Sequence, residues 1–575
     1  MVIRQGGPMT EPLWHRVWLD NYPCDVPSSI PYPRVPVSTL LEMAARRFPY
    51  QPACTIYGKS MSYSKLNDQS HRLAHALASL GAKPGRRVAM LLPNIPEYIV
   101  ALQATWLTGA TVLQLSPLMV SQEISKWLER TGCHIIFTLD LLAPLVMPAL
   151  VDGPLEHVIV ASVANRLKAW KGWLYRIVRL HRNGPFRLRA TDHIHYFEHV
   201  LRNTAEAVHP KIDPEEDVAL MSPTGGTTAS PKAVMLTHRN LVSNAFQLGA
   251  WSREEDGHGG ILGVLPFFHA YGLTVGLLTG LAKGATIHLH PRFELKAVLK
   301  LLLKHKPDLV PAVPQMIAGL NRELRKNPAD LSFIRAVVSG ASALPNSVRE
   351  EFERYGAQNV VEGYGLSEAS PVTHVNPIDG NMRPGTIGLP LPDTEARIVD
   401  QATGLEELPV GVPGELIIRG PQVMKGYFEN PTETARALRN GWLYTGDIAK
   451  RDADGFFTIV DRKKDIIKTN GFLVYPAEVE EVIRSFPTVA EAAVVGVPDA
   501  DRGELVKALV VPRAGDSVHL SELEAHCLKH LGKHKRPKII EVVDELPKNF
   551  LGKVQRRFLR EQHRANGETA NPQNN

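Results

Sequence analysis

Apolar positions recur along this chain with two different spacings, and the changes between them mark out its elements. Steps of three and four run through "STLLEMAARRF" (residues 38–48) and through "SKLNDQSHRLAHALASLG", which Gly81 ends; both predict helices. Between them, "ACTIYG" and "KSMSYS" read as a hairpin-like pair of strands. Then come the unbroken apolar run "RRVAMLLPN", a buried strand, and the helical "IPEYIVALQATWLTG". The rhythm resumes from Val218 to about Asn376, as strand "VALMSP", a loop, a helix, strand "GGILGVLPF", a helix and strand "GATIHLH". Such alternation predicts an α/β fold in layers, here as two subdomains.

From Gly385 to Val460 the texture changes. Glycine and proline punctuate the short strand candidates "EARIVD", "GELIIRG" and "FFTIVD", which predicts a small β-rich subdomain. The charged turn "DRKKD" that follows is a natural boundary. Beyond it, "PAEVEEVIRSF" predicts a helix, with Pro476 near its start, acids in the first turn, and Val479, Val482, Ile483 and Phe486 on one face. Strands "EAAVVGV" and "KALVVP" and a helix near "SELEAHCLKHL" complete a compact α+β unit. The expected organisation is a large domain over residues 1–461, its β-rich part at about 385–460, a small domain over 462–561, and a polar, disordered tail over 562–575.

Composition narrows the picture. At 575 residues the chain exceeds what one core serves, and 44% apolar with 22% charged residues is ordinary for a globular protein. Cys24, Cys54, Cys133 and Cys527 lack CxxC or ligand-like spacing, which argues against a disulfide framework and a cysteine-based zinc site and suits a reducing cytoplasm. The N-terminus lacks the apolar core and cleavage site of a secretory signal. Two charge-free runs, Tyr98–Gln122 and Ile261–Ala282, are long enough to span a bilayer. The first holds several Gln, Thr and Ser, the second Pro266, His269 and four glycines, so both read as the core of a sheet covered on both faces.

The net charge of +6 is unevenly placed. No acid lies between Glu156 and Asp192, while residues 166–189, "RLKAWKGWLYRIVRLHRNGPFRLR", carry eight Lys and Arg. Trp170, Trp173, Leu174, Ile177 and Leu180 fall near helical spacing on one side. Two readings stand: a basic amphipathic helix touching a membrane surface, or a cationic surface helix whose stripe packs on its own domain. Nothing else supports nucleic-acid binding, and none is expected.

Candidate chemistry begins at "SPTGGTTASPKAVMLTH", Ser222 to His238, where small hydroxylic residues and glycines precede a lysine and then an apparent helix. The run lacks the GxxxxGK[ST] and GxGxxG patterns. Its glycines, threonine hydroxyls and one cation nonetheless suit a loop that wraps an oligophosphate; the alternative is a surface connector. Further stations follow in order: "SGASALP" (Ser339–Pro345), "EGYGLSEAS" (Glu362–Ser370), "GWLYTGDIA" with Asp447, "DRKKDIIKTNGFLVYPAEVE" and "LPKNFLGKVQRR" with Lys553. The series resembles the adenylate-forming superfamily of acyl-CoA synthetases, firefly luciferase and peptide-synthetase adenylation domains, over nearly the whole chain to Arg557. The opening "NYPCDVPSSIPYP", the "TGGTT" loop and the "DRKKDIIKTNGFLVYP" joint are most similar to bacterial long-chain fatty acid:CoA ligases.

That resemblance implies a reaction: a fatty acid attacks ATP to give an acyl-adenylate and pyrophosphate, and the thiol of CoA then displaces AMP, with Mg²⁺ assisting. It also implies roles. Thr224, Gly225, Gly226, Thr227 and Thr228 would hold the pyrophosphate half of ATP, with Lys232 near its charge. Gly340, Ala341 and Ser342 would line the adenine, Tyr364 would lie against its face, and Glu362 and Gly365 belong to the same AMP-binding station. Glu368, with Thr228, would hold Mg²⁺, and Ser367 would donate to the α-phosphate. Asp447 would accept the ribose hydroxyls beside Arg462. Lys553 would be the catalytic cation of the first step. Lys464 matches a hinge about which a mobile C-terminal domain rotates, bringing Gly471 to the thiol tunnel. "LPFFHAYGL" would supply His269 and Tyr271 at the acyl pocket.

Two positions depart from the family's usual glycines, Ala229 and Ala233, and raise a question about ATP binding. The cluster His193, His195, Glu198 and His199 tempts a metal assignment, but without family support a solvated segment is the expectation. The substrates expected are fatty acid, ATP and CoA, with a homodimer and peripheral membrane contact through 166–189 as further expectations. The alternatives are a medium-chain or aryl-acid CoA ligase, a fatty acyl-AMP ligase, and a catalytically impaired acyl-binding protein at the membrane.

Overall fold

In the computed structural model the described residues are 13–167, 169–182, 190–202, 210–224, 232–469, 472–499, 502–548 and 552–569. The chain forms two compact units. The larger holds Asn21–Glu395 and Arg419–Leu443; the smaller gathers the segment ending at Asp20, Ala396–Ile418 and the chain from Tyr444 onward.

The larger unit is built on an eight-stranded and a nine-stranded sheet. In the first, Thr111–Gln114, Arg87–Leu91, Ile135–Leu139, His157–Ala161 and Ile194–Tyr196 run parallel, and Val218–Thr224 joins them at Thr111–Gln114. In the second, Gly260–Gly263, Leu309–Ala312, Ala336–Ser339 and Asn359–Gly365 are parallel neighbours. The expected hairpin forms as Pro52–Ile56 and Lys59–Ser62, closed by Tyr57 and Gly58 at φ 50° and 82°, the left-handed pair that a two-residue turn requires. The charge-free runs are core over most of their length, although Leu118 and Val120, near the end of the first, are 65% and 60% exposed. Helix Pro96–Leu107 is buried from Pro96 to Trp106, and Gly272–Leu278, a wide π-type turn, is buried throughout.

One expectation is corrected beside the phosphate loop. Lys232–Thr237 is a strand, not the start of a helix; it pairs antiparallel with Val218–Thr224 and with Gly426–Tyr427. The helix starts at His238, because Thr237 and Asn240 cap each other's backbone N–H groups.

Gly414–Arg419, Trp442–Arg451 and Phe457–Arg462, which lie mostly in the smaller unit, belong to one sheet, as the β-rich texture predicts. A second sheet orders Phe472–Val474, Ile467–Thr469, Gly503–Pro512 and Val489–Asp499, with Ile539–Val542 beside Gly503–Pro512. The two-residue period of "AAVVGV" sends Ala492 and Val494 into one apolar cluster with Val479, Ile483 and Leu523, and Ala493, Val495 and Val497 into another with Leu546 and Leu559. Leu559 lies on helix Arg556–Thr569, which runs into the segment expected to be a tail.

Candidate active site

In the larger unit, the phosphate-loop strands close at their ends, where Thr224 pairs with Lys232 and its hydroxyl donates to the Lys232 carbonyl at 3.3 Å. Gly225, Gly226, Thr227, Thr228 and Ala229 lie outside the described residues. Ala233 sits in the regular strand opposite Pro223, its methyl buried in a cluster with Trp127, Leu128 and Val146. The methyl that departs from the family's glycine is thus a core group in an extended backbone.

Lys232 is held by two neighbours. Its Nζ makes an ion pair with Glu433 and stands 5.0 Å over the Tyr427 ring. The Lys232 hydrogen bond, ahead of other causes, draws the Glu433 carboxyl below its ordinary range. Tyr427 in turn donates its hydroxyl to Glu368 Oε1 at 2.8 Å, while the Glu368 carbonyl accepts from Met424 N, also at 2.8 Å. Burial, then the Glu368 charge, pushes the Tyr427 phenol up, so it remains a donor. Glu368 follows Ser367 on a single 3₁₀ turn, Ser367–Ala369.

Strand Asn359–Gly365 leads into that turn. Gly365 is the only residue that fits, since a Cβ there would lie 2.1 Å from the Pro371 carbonyl oxygen. Tyr364 is half-buried, its ring edge-on to His374 at 6.0 Å. Glu362 works as a brace: its two oxygens accept from Leu344 N and Gly385 N, each at 3.0 Å. Burial is the largest influence on its carboxyl and raises it against those bonds. Next door, Gly340 N donates to the Ala312 carbonyl, Ala341 takes a left-handed φ of 72°, and Ser342 is exposed. A Cβ on Gly340 would stand 3.0 Å from the Tyr271 ring. Tyr271 donates to the Val338 carbonyl at 2.6 Å, tying its ring beneath that turn. His269 Nδ1 accepts from Tyr271 N at 3.2 Å, and burial holds its imidazole down to about 4, so it is neutral.

The smaller unit collects the remaining candidates. Asp447 and Arg462 face each other across antiparallel strands, with Arg462 Nε 3.5 Å from Asp447 Oδ1. Thr445 Oγ1 accepts from Asp447 N at 3.1 Å and donates to the Leu416 carbonyl at 2.7 Å, which fixes the turn. Lys553 follows Gly552, whose φ is 77°. Its ammonium is pushed down to about 8, first by burial, then by Arg462, with Asp447 acting in the opposite sense and Lys464 and Arg556 adding to the depression. Lys464 is likewise lowered, by burial first and Arg462 second. Asp447, Arg462, Lys464 and Lys553 therefore share one electrostatic neighbourhood; Gly471 lies outside the described residues.

With these stations in place, the comparisons can be stated. Residues 41–428 match the family described as AMP-binding enzyme, and residues 478–553 match the AMP-binding enzyme C-terminal domain. The chain belongs to the AMP-binding enzyme family. It is 40% identical to a long-chain-fatty-acid–CoA ligase of Bacillus subtilis, over 96% of this chain and 98% of that one. It is 36% identical to a long-chain-fatty-acid–CoA ligase of Escherichia coli, over 96% and 98%. Among solved structures, ATP-bound MatB from Rhodopseudomonas palustris aligns with a TM-score of 0.80 at 28% identity, over 92% of this chain and 99% of that chain.

This AMP-binding enzyme also contains partners that sequence reading missed. Tyr427 and Glu433 come from "GYFENPTETA", whose Asn430 cap and Pro431 signal a helix start but not what that start touches. Arg556 lies three residues past Lys553 and binds Glu480 at 2.7 Å and Asp465 at 3.5 Å; Arg560 adds Asp465 at 2.8 Å. The loop carrying Lys553 is thereby tied to the joint segment. In the histidine cluster, His195 Nε2 meets His157 Nδ1 at 3.2 Å and His193 Nδ1 meets the Glu156 carbonyl at 3.0 Å. Among the described residues, no group of three or more His, Cys, Asp or Glu is arranged to hold a metal.

Proposed function

We propose that this enzyme is an ATP- and Mg²⁺-dependent long-chain fatty acyl-CoA synthetase that forms an acyl-adenylate, releases pyrophosphate, and passes the acyl group to CoA with release of AMP. The observation that carries the reading is the 40% identity with the Bacillus subtilis ligase across nearly the full length of both chains. A carboxylate repels nucleophiles and has a poor leaving group. Its activation therefore depends on neutralising charge and aligning the attack on the α-phosphorus.

This chain's residues divide that work. Thr224, Gly225, Gly226, Thr227 and Thr228 hold the pyrophosphate half of ATP, and Lys232 exchanges its Glu433 partner for phosphate oxygens. Gly340, Ala341 and Ser342 border the adenine, Tyr364 offers its face, Ser367 donates to the α-phosphate, and Glu362 and Gly365 keep that station in shape. Asp447 accepts the ribose hydroxyls with Arg462 alongside. Lys553 bridges the substrate carboxylate and the α-phosphate. Glu368, with Thr228, would hold Mg²⁺; its carboxylate is a hard oxygen donor suited to that ion, and Tyr427 already orients it. Once bound, that ion neutralises phosphate charge. Rotation of the 462–561 domain about Lys464 then withdraws Lys553 and presents Gly471 to the thiol, while His269 and Tyr271 flank the acyl chain. The enzyme is read as cytoplasmic and homodimeric, meeting the inner face of the membrane peripherally.

The test is CoA consumption across acids from acetate to oleate and simple aryl acids, with ATP and Mg²⁺. The reading predicts that long-chain acids give the highest kcat/KM. A preference for octanoate or an aryl acid overturns the chain-length assignment. Pyrophosphate release without thioester formation points to a ligase that stops at the adenylate, and no turnover points to a binding protein.

A further inference from the structure

Helix Ala169–Arg182 presents its apolar stripe to solvent rather than to its own unit. Trp170, Trp173, Leu174 and Ile177, spaced i, i+3, i+4 and i+7, are 63%, 66%, 49% and 40% exposed. Ordinary surface helices turn such a stripe inward, so its outward placement demands a partner. The opposite face is clamped. Gly172 is buried so close to the turn Val163–Arg166 that a Cβ would lie 2.8 Å from the Ala164 carbonyl oxygen. Tyr175 donates to Asp140 Oδ1 at 2.6 Å, and Ser162 donates to the other oxygen at 2.7 Å. Arg166 at the base of the helix binds the buried Glu97 at 2.7 Å. The indoles are therefore held outward by a fixed mount.

Charge selects the occupant. Residues 166–189 carry eight Lys and Arg, and no acid falls between Glu156 and Asp192. A second copy seated on this stripe would set two such cationic segments together, whereas an anionic lipid surface neutralises them. Fourteen residues span only about 21 Å as a helix. No described helix is long and apolar enough to cross a membrane, so this one suits lying in the interface, where tryptophans settle at the headgroup level. Lys171 Nζ, 5.3 Å over the Trp170 ring, already pairs a cation with an indole at that level.

We infer that helix Ala169–Arg182 is a docking surface for anionic phospholipid bilayers, laying Trp170, Trp173, Leu174 and Ile177 into the headgroup region so that the enzyme takes its fatty acid from the membrane. The inference rests on the long-chain reading, because only a long acyl chain resides in the bilayer.

The experiment compares wild type with the double variant Trp170→Ser/Trp173→Ser by co-sedimentation with vesicles of phosphatidylcholine alone or with about one-quarter phosphatidylglycerol. Wild type is expected to bind the anionic vesicles and to release as salt rises. The variant is expected to lose at least about tenfold in partitioning, since two indoles leave the interface. Its turnover of oleate from detergent micelles stays at the wild-type value, while its turnover of oleate embedded in anionic vesicles falls. Equal vesicle binding by the two proteins, or binding indifferent to lipid charge, overturns the proposal. A changed oligomeric state in the variant overturns it too and assigns the stripe to a second copy. Vesicle binding needs no catalysis, so inactivity on every fatty acid would defeat the long-chain reading while leaving this readout intact.

Discussion

Single residues set the acid–base character of the proposed chemistry. Lys553 has its ammonium lowered to about 8, so it is mostly charged at neutral pH and loses its proton as pH rises through that value. The kcat/KM for adenylation, read as pyrophosphate release, should therefore fall above pH about 8. Arg462 is the largest charge depressing Lys553, so Arg462→Gln should move that alkaline limb to higher pH. A limb that stays put in the variant would detach Lys553 from the rate. His269, held neutral to about 4, should contribute no limb between pH 5 and 8. Ala233 gives a different kind of test. Restoring the family's glycine removes a buried methyl from a strand and frees the unfolded chain, so Ala233→Gly should destabilise by about 1 kcal/mol or more in a denaturant titration while leaving adenylation unchanged. A gain in adenylation would mean that the methyl does obstruct the loop.

Elements bring these residues together, and here the limits of sequence reading are visible. The Tyr57–Gly58 hairpin, the helix Pro96–Leu107, buried from Pro96 to Trp106, and the helix Pro476–Arg484 were all legible, because each depends on short-range pattern: two adjacent strand runs, a stretch almost free of charge, a proline start. Lys232–Thr237 looked helical because a four-residue apolar run, Ala233–Leu236, has no decisive period; its partners, Val218–Thr224 and Gly426–Tyr427, make it a strand. Helix Arg556–Thr569 was missed because its sequence is mostly polar; among its described side chains, Leu559 alone is buried. Tyr427 was invisible for a related reason: its bond to Glu368 joins positions fifty-nine residues apart. That bond makes an element-scale prediction. Tyr427→Phe should loosen the Ser367–Ala369 turn and raise the Mg²⁺ needed for half-maximal adenylation several-fold, with little effect on unfolding. Calorimetry of MgATP binding should show the same weakening, and unchanged binding and Mg²⁺ dependence would reduce the bond to scaffolding.

At the scale of the whole molecule, the larger unit carries Lys232, Glu368 and Tyr364, and the smaller carries Asp447, Arg462 and Lys553. The proposed reaction needs both sets for the first step and must then clear the ammonium away for the thiol. Burying a lysine among cationic neighbours costs stability, with Asp447 acting in the opposite sense, so removal of Lys553 should not weaken the fold. Half-reactions therefore test the account most directly. With Lys553→Ala, pyrophosphate release from oleate and MgATP should drop at least about a thousandfold, in line with losing a charge that stabilises the transition state. Acyl-CoA formation from supplied oleoyl-adenylate and CoA should proceed at the wild-type rate. Equal loss of both half-reactions in a folded variant, or adenylation that survives, would contradict a first step served by a retractable C-terminal cation.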